Sequence, residues 1–182
     1  MGKLIMWNLM TLDGFFEGTQ NWDLDFHRTV WGDELERFAI GQLSSTSRLL
    51  FGRVTYEGMA AYWKTAEGTV ADYMNRLPKV VFSRTLENPD WNNTIQVRDN
   101  AASVVRALKK QAEQDLYVFG SANLCETLIE ADLFDEYRIA VAPVMLGSGR
   151  PLFKNGLTRH NLRLIDTTTY TSGCVVLRYA ND

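Results

Sequence analysis

The sequence predicts an α/β protein whose central sheet is mostly parallel, flanked by helices and closed by an antiparallel hairpin at its C-terminal edge. Three observations predict it. Short apolar runs bounded by turn residues alternate with stretches of helical periodicity over the first two-thirds of the chain. The last third changes to β-rich runs joined by Thr171-Ser172-Gly173. With 182 residues, 46% hydrophobic and 23% charged, the chain has the size and composition of one soluble globular domain spanning 1–182.

Taken in order, Lys3 to Met10 is an apolar first strand that runs into the turn Thr11-Leu12-Asp13-Gly14. Phe15 to His27 reads as irregular and aromatic-rich. From Asp33, the residues Leu35, Phe38, Ala39, Gln42 and Leu43 share one helical face. Arg48 to Phe51 is a strand halted by Gly52, and a helix from about Thr55 buries Tyr56, Met59, Ala60 and Trp63. A short helix, Val70 to Arg76, stops before Pro78. Lys79 to Phe82 and Thr94 to Val97 are strands. Asp99 or Asn100 caps a helix with the stripe Ala101, Val104, Val105, Leu108 and Ala112. Leu116 to Phe119 is a buried strand ending at Gly120, and Leu124, Leu128 and Ile129 define a further helix. Tyr137 to Ala142 is a strand stopped by Pro143. Gly147-Ser148-Gly149 is a loop, and Leu162 to Tyr170 with Cys174 to Tyr179 forms the closing hairpin.

Composition excludes several classes. A net charge of -3 with no basic stripe argues against nucleic acid and anionic membranes as partners, while leaving room for a local basic pocket. Met1 to Met10 is too short for the apolar core of a secretory signal, and no run reaches a membrane span. Cys125 and Cys174 have neither disulfide-framework nor zinc spacing, which predicts a cytoplasmic protein with unreactive thiols.

The chemistry is expected where such sheets bind ligands, beyond the carboxyl ends of their strands. Three strand ends carry anion-binding residue types. At Gly52-Arg53-Val54-Thr55 a strand passes through glycine into a helix, whose free N–H groups and dipole favour phosphate. The plainer reading has Thr55 capping the helix and Arg53 solvated. At Ser83-Arg84-Thr85 two hydroxyls flank a guanidinium, a donor set for a phosphate monoester, though a polar loop would look the same. At Gly120-Ser121-Ala122-Asn123-Leu124, small residues let the backbone approach a pyrophosphate at a helix start. No Gly-Lys-Ser/Thr follows, so this is not a P-loop.

These segments, with Thr11-Leu12-Asp13-Gly14 and Asp135-Glu136-Tyr137 leading to Pro143-Val144-Met145-Leu146-Gly147-Ser148-Gly149, follow one order along the chain. In that order the chain resembles the dihydrofolate reductase-like superfamily, in its riboflavin-biosynthesis pyrimidine reductase branch. The resemblance implies a three-layer dihydrofolate reductase-like fold, NADPH as cofactor and a homodimer. It implies that Gly52, Arg53, Val54 and Thr55 meet the pyrophosphate and adenosine ribose, and that Ser83, Arg84 and Thr85 hold the adenine end with its 2′-phosphate. It implies that Gly120 to Leu124 lie under the pyrophosphate near the nicotinamide. Serine replaces the family's second glycine at Ser121, where its hydroxyl is expected to donate to phosphate.

The hydride acceptor implied by the resemblance is a small heterocycle like that of the 5-amino-6-(5-phosphoribosylamino)uracil reductases, its phosphate met by Arg150, Lys154 or Arg159. Folate reductases keep a carboxylate after a Trp-x-Leu-x-x-Asp pattern. Trp22 and Leu24 fit, but His27 stands at the carboxylate position, which disfavours folate or pterin as substrate. His27 is the candidate acid, or a loop histidine. Asp13 is a candidate catalytic residue facing substrate, or a turn residue fixing its loop. Phe16 and Trp22, with Phe26, are expected to wall the substrate ring. A non-catalytic NADP(H) sensor is the alternative from another class.

Overall fold

A computed structural model describes all residues, 1–182. The strands are β1 (Leu4–Thr11), β2 (Phe15–Glu17), β3 (Thr46–Gly52), β4 (Lys79–Phe82), β5 (Thr94–Val97), β6 (Asp115–Phe119), β7 (Glu136–Ala142), β8 (Arg150–Pro151), β9 (Leu162–Thr169) and β10 (Val175–Asn181). The helices are α1 (Asp33–Ser44), α2 (Arg53–Trp63), α3 (Thr69–Arg76), α4 (Ala101–Gln111) and α5 (Ala122–Glu130), with a 3-10 turn at Asp25–Thr29.

Eight strands form one sheet in the order β5-β4-β3-β6-β1-β7-β10-β9. Pairing is parallel from β5 through β7 and antiparallel at β7–β10 and β10–β9, as the sequence predicts. Phe15–Glu17 and Arg150–Pro151 pair in a second, two-stranded sheet. Strands of three and two residues are too short to show a period of two, so the sequence presents them as loop.

Burial on both faces explains why the inner strands read as continuous apolar runs. One face carries Leu4, Met6, Leu50, Leu116 and Val118 against Val105 of α4 and Leu124 and Leu128 of α5. The other carries Ile5, Leu49, Phe51 and Tyr117 against Leu43 of α1, Tyr56 and Ala60 of α2, and Met74 of α3. The result is three layers. The chain runs outward from β3 through β4 to β5, then returns to insert β6 between β3 and β1. The direction of winding therefore reverses around β6, and the crevice beyond the carboxyl ends of β3, β6 and β1 is where such a sheet takes ligand. No helix is long and apolar enough to cross a membrane.

Two local details differ from expectation. α2 begins at Arg53 with Gly52 at its N-cap, so Thr55 sits inside the first turn and caps nothing. Asn100 precedes α4 in a left-handed conformation and makes no side-chain capping bond. Both cysteines are buried and free, and burial raises their thiol pKa values, that of Cys174 to about 11. They are poor nucleophiles.

Candidate functional site

The three strand ends open onto one cleft of about 770 Å³, within the usual range of small-molecule sites, about 300–1,000 Å³. Its rim is built by packing between turns. Gly120 (φ +55°) and Ser121 (φ +60°) are successive left-handed residues that swing the chain from β6 into α5. A Cβ on Gly120 would lie 3.1 Å from Thr55 Cγ2, so the β6 turn rests directly on the first turn of α2. Gly52 N–H donates to Ser121 Oγ at 2.7 Å, and Ser121 O–H donates to Phe119 carbonyl at 3.4 Å. The Ser121 hydroxyl, which the sequence suggests as a phosphate donor, is thus engaged within the protein, where it ties two strand tips together.

None of α2, α4 and α5 has a side-chain cap, and all three begin on this cleft. Their first-turn N–H groups and dipole ends converge on the rim and favour an anion there. Arg53, Arg84 and Arg98 add guanidinium groups. Arg53 pairs with Glu57 at 2.9 Å and Arg84 with Asp99 at 2.7 Å, both solvent-exposed. Such pairs are worth about 0–1 kcal/mol, so a phosphate can compete for either guanidinium. Ser83 Oγ accepts from the N–H groups of Thr85 and Leu86 at 3.1 and 2.9 Å, leaving its O–H free to donate.

Beyond the rim the cleft enters the space between α1, α2 and α3. Trp7, Leu35, Ala39, Met59 and Trp63 are among its walls. Met59 and Trp63, which the helical stripe assigns to the core, do pack against it, half-buried, and also line this cleft. Trp22 packs directly on α2, where a Cβ on Gly58 would fall 1.8 Å from its indole Cζ2. Phe16 and Trp22 do wall the cleft, whereas Phe26 is core beside Leu9 and Leu35.

The two proposed catalytic residues change character. Asp13 is outside the cleft: its carboxylate accepts from Thr11 Oγ1 at 2.5 Å and from the N–H groups of Leu146 and Gly147 at 3.2 and 2.7 Å. The Thr11 bond above all, with Gly147, holds its pKa below the ordinary value. It clamps two loops together, away from the cleft. His27 does line the cleft, but burial lowers its pKa to about 4, so it is neutral near pH 7 and carries no proton to give as imidazolium. Its Nε2 is buried without a hydrogen-bond partner.

Arg98 and Asn8 are among the cleft residues that escape the sequence reading. Arg98 follows β5 as Ser83-Arg84 follows β4, so the strand-end rule could have found it. Asn8, a polar residue in an apolar strand, is 5% exposed and its Nδ2 has no partner. Alternation along β1 places it with Met6 and Met10, on the α5 side. Of the cations suggested for a substrate phosphate, Arg150 and Lys154 line the cleft and Arg159 does not.

The family model of the RibD C-terminal domain matches residues 2–176. The chain belongs to that family. Among relatives, the uncharacterized protein YyaP of Bacillus subtilis (strain 168) is 32% identical over 182 residues, 97% of this chain and 94% of its own. A Shewanella sp. PV-4 structure, provisionally assigned to riboflavin biosynthesis, superposes with a TM-score of 0.83 at 18% identity, covering 100% of this chain and 99% of that one. A diaminohydroxyphosphoribosylaminopyrimidine deaminase/5-amino-6-(5-phosphoribosylamino)uracil reductase from Thermotoga maritima superposes with a TM-score of 0.70 at 14% identity. This chain spans 57% of that one. The fold is therefore the dihydrofolate reductase-like fold of RibD-type reductase domains.

Proposed function

We propose that the chain is an NADPH-dependent reductase of a small heterocyclic substrate, acting as a homodimer in the cytoplasm. The observation that carries the reading is the meeting of three strand-end turns, three helix starts and the rim arginines Arg53, Arg84 and Arg98 on one cleft. That arrangement fits a dinucleotide phosphate. Gly52, Arg53, Val54 and Thr55 with Gly120 to Leu124 would take the pyrophosphate. Ser83, Arg84 and Thr85, joined by Arg98, would take the adenosine end and its 2′-phosphate. Bound NADPH supplies a hydride. The chain's own residues orient it, and the tryptophan-lined interior keeps water from the reacting carbon.

Family membership supports a reductase over a passive NADP(H) sensor, and so does the room left between α1, α2 and α3 for a second ring. His27, neutral near pH 7, would not serve as an imidazolium acid. Fluorescence titration tests the cofactor reading. NADPH is expected to bind more tightly than NADH, and Arg84→Ala to weaken NADPH about tenfold or more, one charge-assisted hydrogen bond being worth about 1.5–3 kcal/mol. Equal losses for both cofactors would refute it. Cofactor binding without turnover of any ring compound would favour the sensor.

A further inference from the structure

The two edges of the main sheet are finished differently. At one edge β5 is four residues long, short enough to offer little to another strand. At the other, β9 runs eight residues, as long as the central strand β1. It pairs with β10 alone, so the N–H and C=O groups of alternate residues point outward with no strand to meet them. All of its residues but Thr168 are exposed. Three of them are large aliphatics, Leu162 at 39%, Leu164 at 50% and Ile165 at 41%. No proline or lysine, the usual guards of such an edge, stands in the strand.

A bulge sets how β9 presents its side chains. Tyr179 of β10 pairs with Leu164, and Arg178 with Asp166, leaving Ile165 as the extra residue. Regular alternation would put Arg163 and Asp166 on opposite sides of the sheet. The extra residue shifts that alternation by one, so Arg163, opposite Ala180, and Asp166, opposite Arg178, share a face. Leu162 and Leu164, opposite Asn181 and Tyr179, share the other. Neither charge is satisfied within the chain: Arg163 has no acidic partner, and Asp166 has only Arg178, at 3.9 Å.

We infer that β9 is the subunit interface, pairing antiparallel with β9 of a second copy about a two-fold axis between Leu164 and Ile165. The inference rests on the homodimer of the proposed function and names its surface. Such an axis sets each residue opposite the one equally far across it. Arg163 then meets Asp166 of the second copy, twice, and Leu164 meets Ile165, twice. Leu162 falls opposite Thr167. The charged pair lies on one face only because of the bulge, so the bulge makes the strand complementary to itself. That match selects a second copy of this chain over an unrelated strand, which would need only an open edge. Pairing also covers the exposed aliphatics and gives the outward backbone groups partners.

Sedimentation velocity of the full chain over a wide range of concentrations gives the test. The parent chain is expected to be a dimer. Arg163→Asp and Asp166→Arg each set like charges against one another and should weaken it about tenfold or more, the reach of one close charge pair across an interface. Mixed in equal amounts, the two variants set two aspartates against two arginines and should dimerise as tightly as the parent. Misfolded variants could not give that recovery. Single variants as tightly dimeric as the parent, or no recovery on mixing, would overturn the inference and leave the homodimer standing. A parent chain monomeric at every concentration would sink both, while NADPH titration of the same samples reads the cofactor site separately.

Discussion

The rim of the cleft and its interior are built from the same fold by opposite means. At the rim, backbone does the work: strand ends, left-handed residues and helix starts present N–H groups, and arginines supplement them. In the interior, side chains do it, with tryptophan, methionine and leucine walling the space between α1, α2 and α3. The first suits a charged, extended ligand recognised by its phosphates. The second suits a flat ring recognised by shape. The difference teaches that, on the proposed function, selectivity for cofactor and for substrate would change separately, because the two regions recognise ligands by different means.

The comparison breaks most sharply at Gly120. A valine there would be β-branched at φ +55° and would press on Thr55, so the β6 turn would lift from α2. NADPH affinity is expected to fall at least about a hundredfold, near 3 kcal/mol. Calorimetric titration with NADPH checks it.

Ser121 gives the next effect, on stability. Ser121→Ala strands the Gly52 N–H and keeps the left-handed strain, for a loss of about 1–3 kcal/mol in urea unfolding. Ser121→Gly loses the same bond but relieves the strain, and should lose roughly half as much. Equal losses would mean that the left-handed backbone matters little.

His27 sharpens the interior. Its folded pKa of about 4 lies below its ordinary 6.5, so the unfolded chain holds more protons between those values. Stability therefore rises with pH across that window, is fully present above about 6.5, and is lost as pH falls toward 4. The slope integrates to about 3 kcal/mol at most. His27→Leu should flatten that part of the pH profile.

The smallest effect on stability is expected at Gly58. Alanine is usually favoured over glycine within a helix by about 0.5–1 kcal/mol, but here its Cβ would collide with Trp22. Gly58→Ala should leave unfolding within about 1 kcal/mol of the parent while shifting tryptophan emission, as the indole leaves its seat. An unchanged spectrum would mean that Trp22 does not rest on α2.

Legibility in the sequence follows the same division. The rim was readable because each turn is a contiguous run of small, hydroxyl and basic residues after an apolar strand, as in Gly52-Arg53-Val54-Thr55. Arg98 obeys the same rule but lacks a neighbouring glycine or serine to mark it. The interior was not readable, because a cleft wall and a core face share one periodicity: Met59 and Trp63 lie on the stripe that also buries Tyr56 and Ala60. Asp13 misleads for a related reason. An Asp-Gly turn looks alike whether its carboxylate faces a substrate or the N–H groups of Leu146 and Gly147, 133 and 134 residues away in sequence. The burial of His27 comes from distant elements folding over it, which a loop-like local sequence does not encode.

Amide hydrogen exchange with and without NADPH reads the convergence of the three helix starts most directly. The account predicts that saturating NADPH slows exchange together in residues 53–55, 101–103 and 122–124, with little change along β9. Protection confined to one of the three segments, or none despite saturation, would contradict a shared dinucleotide site.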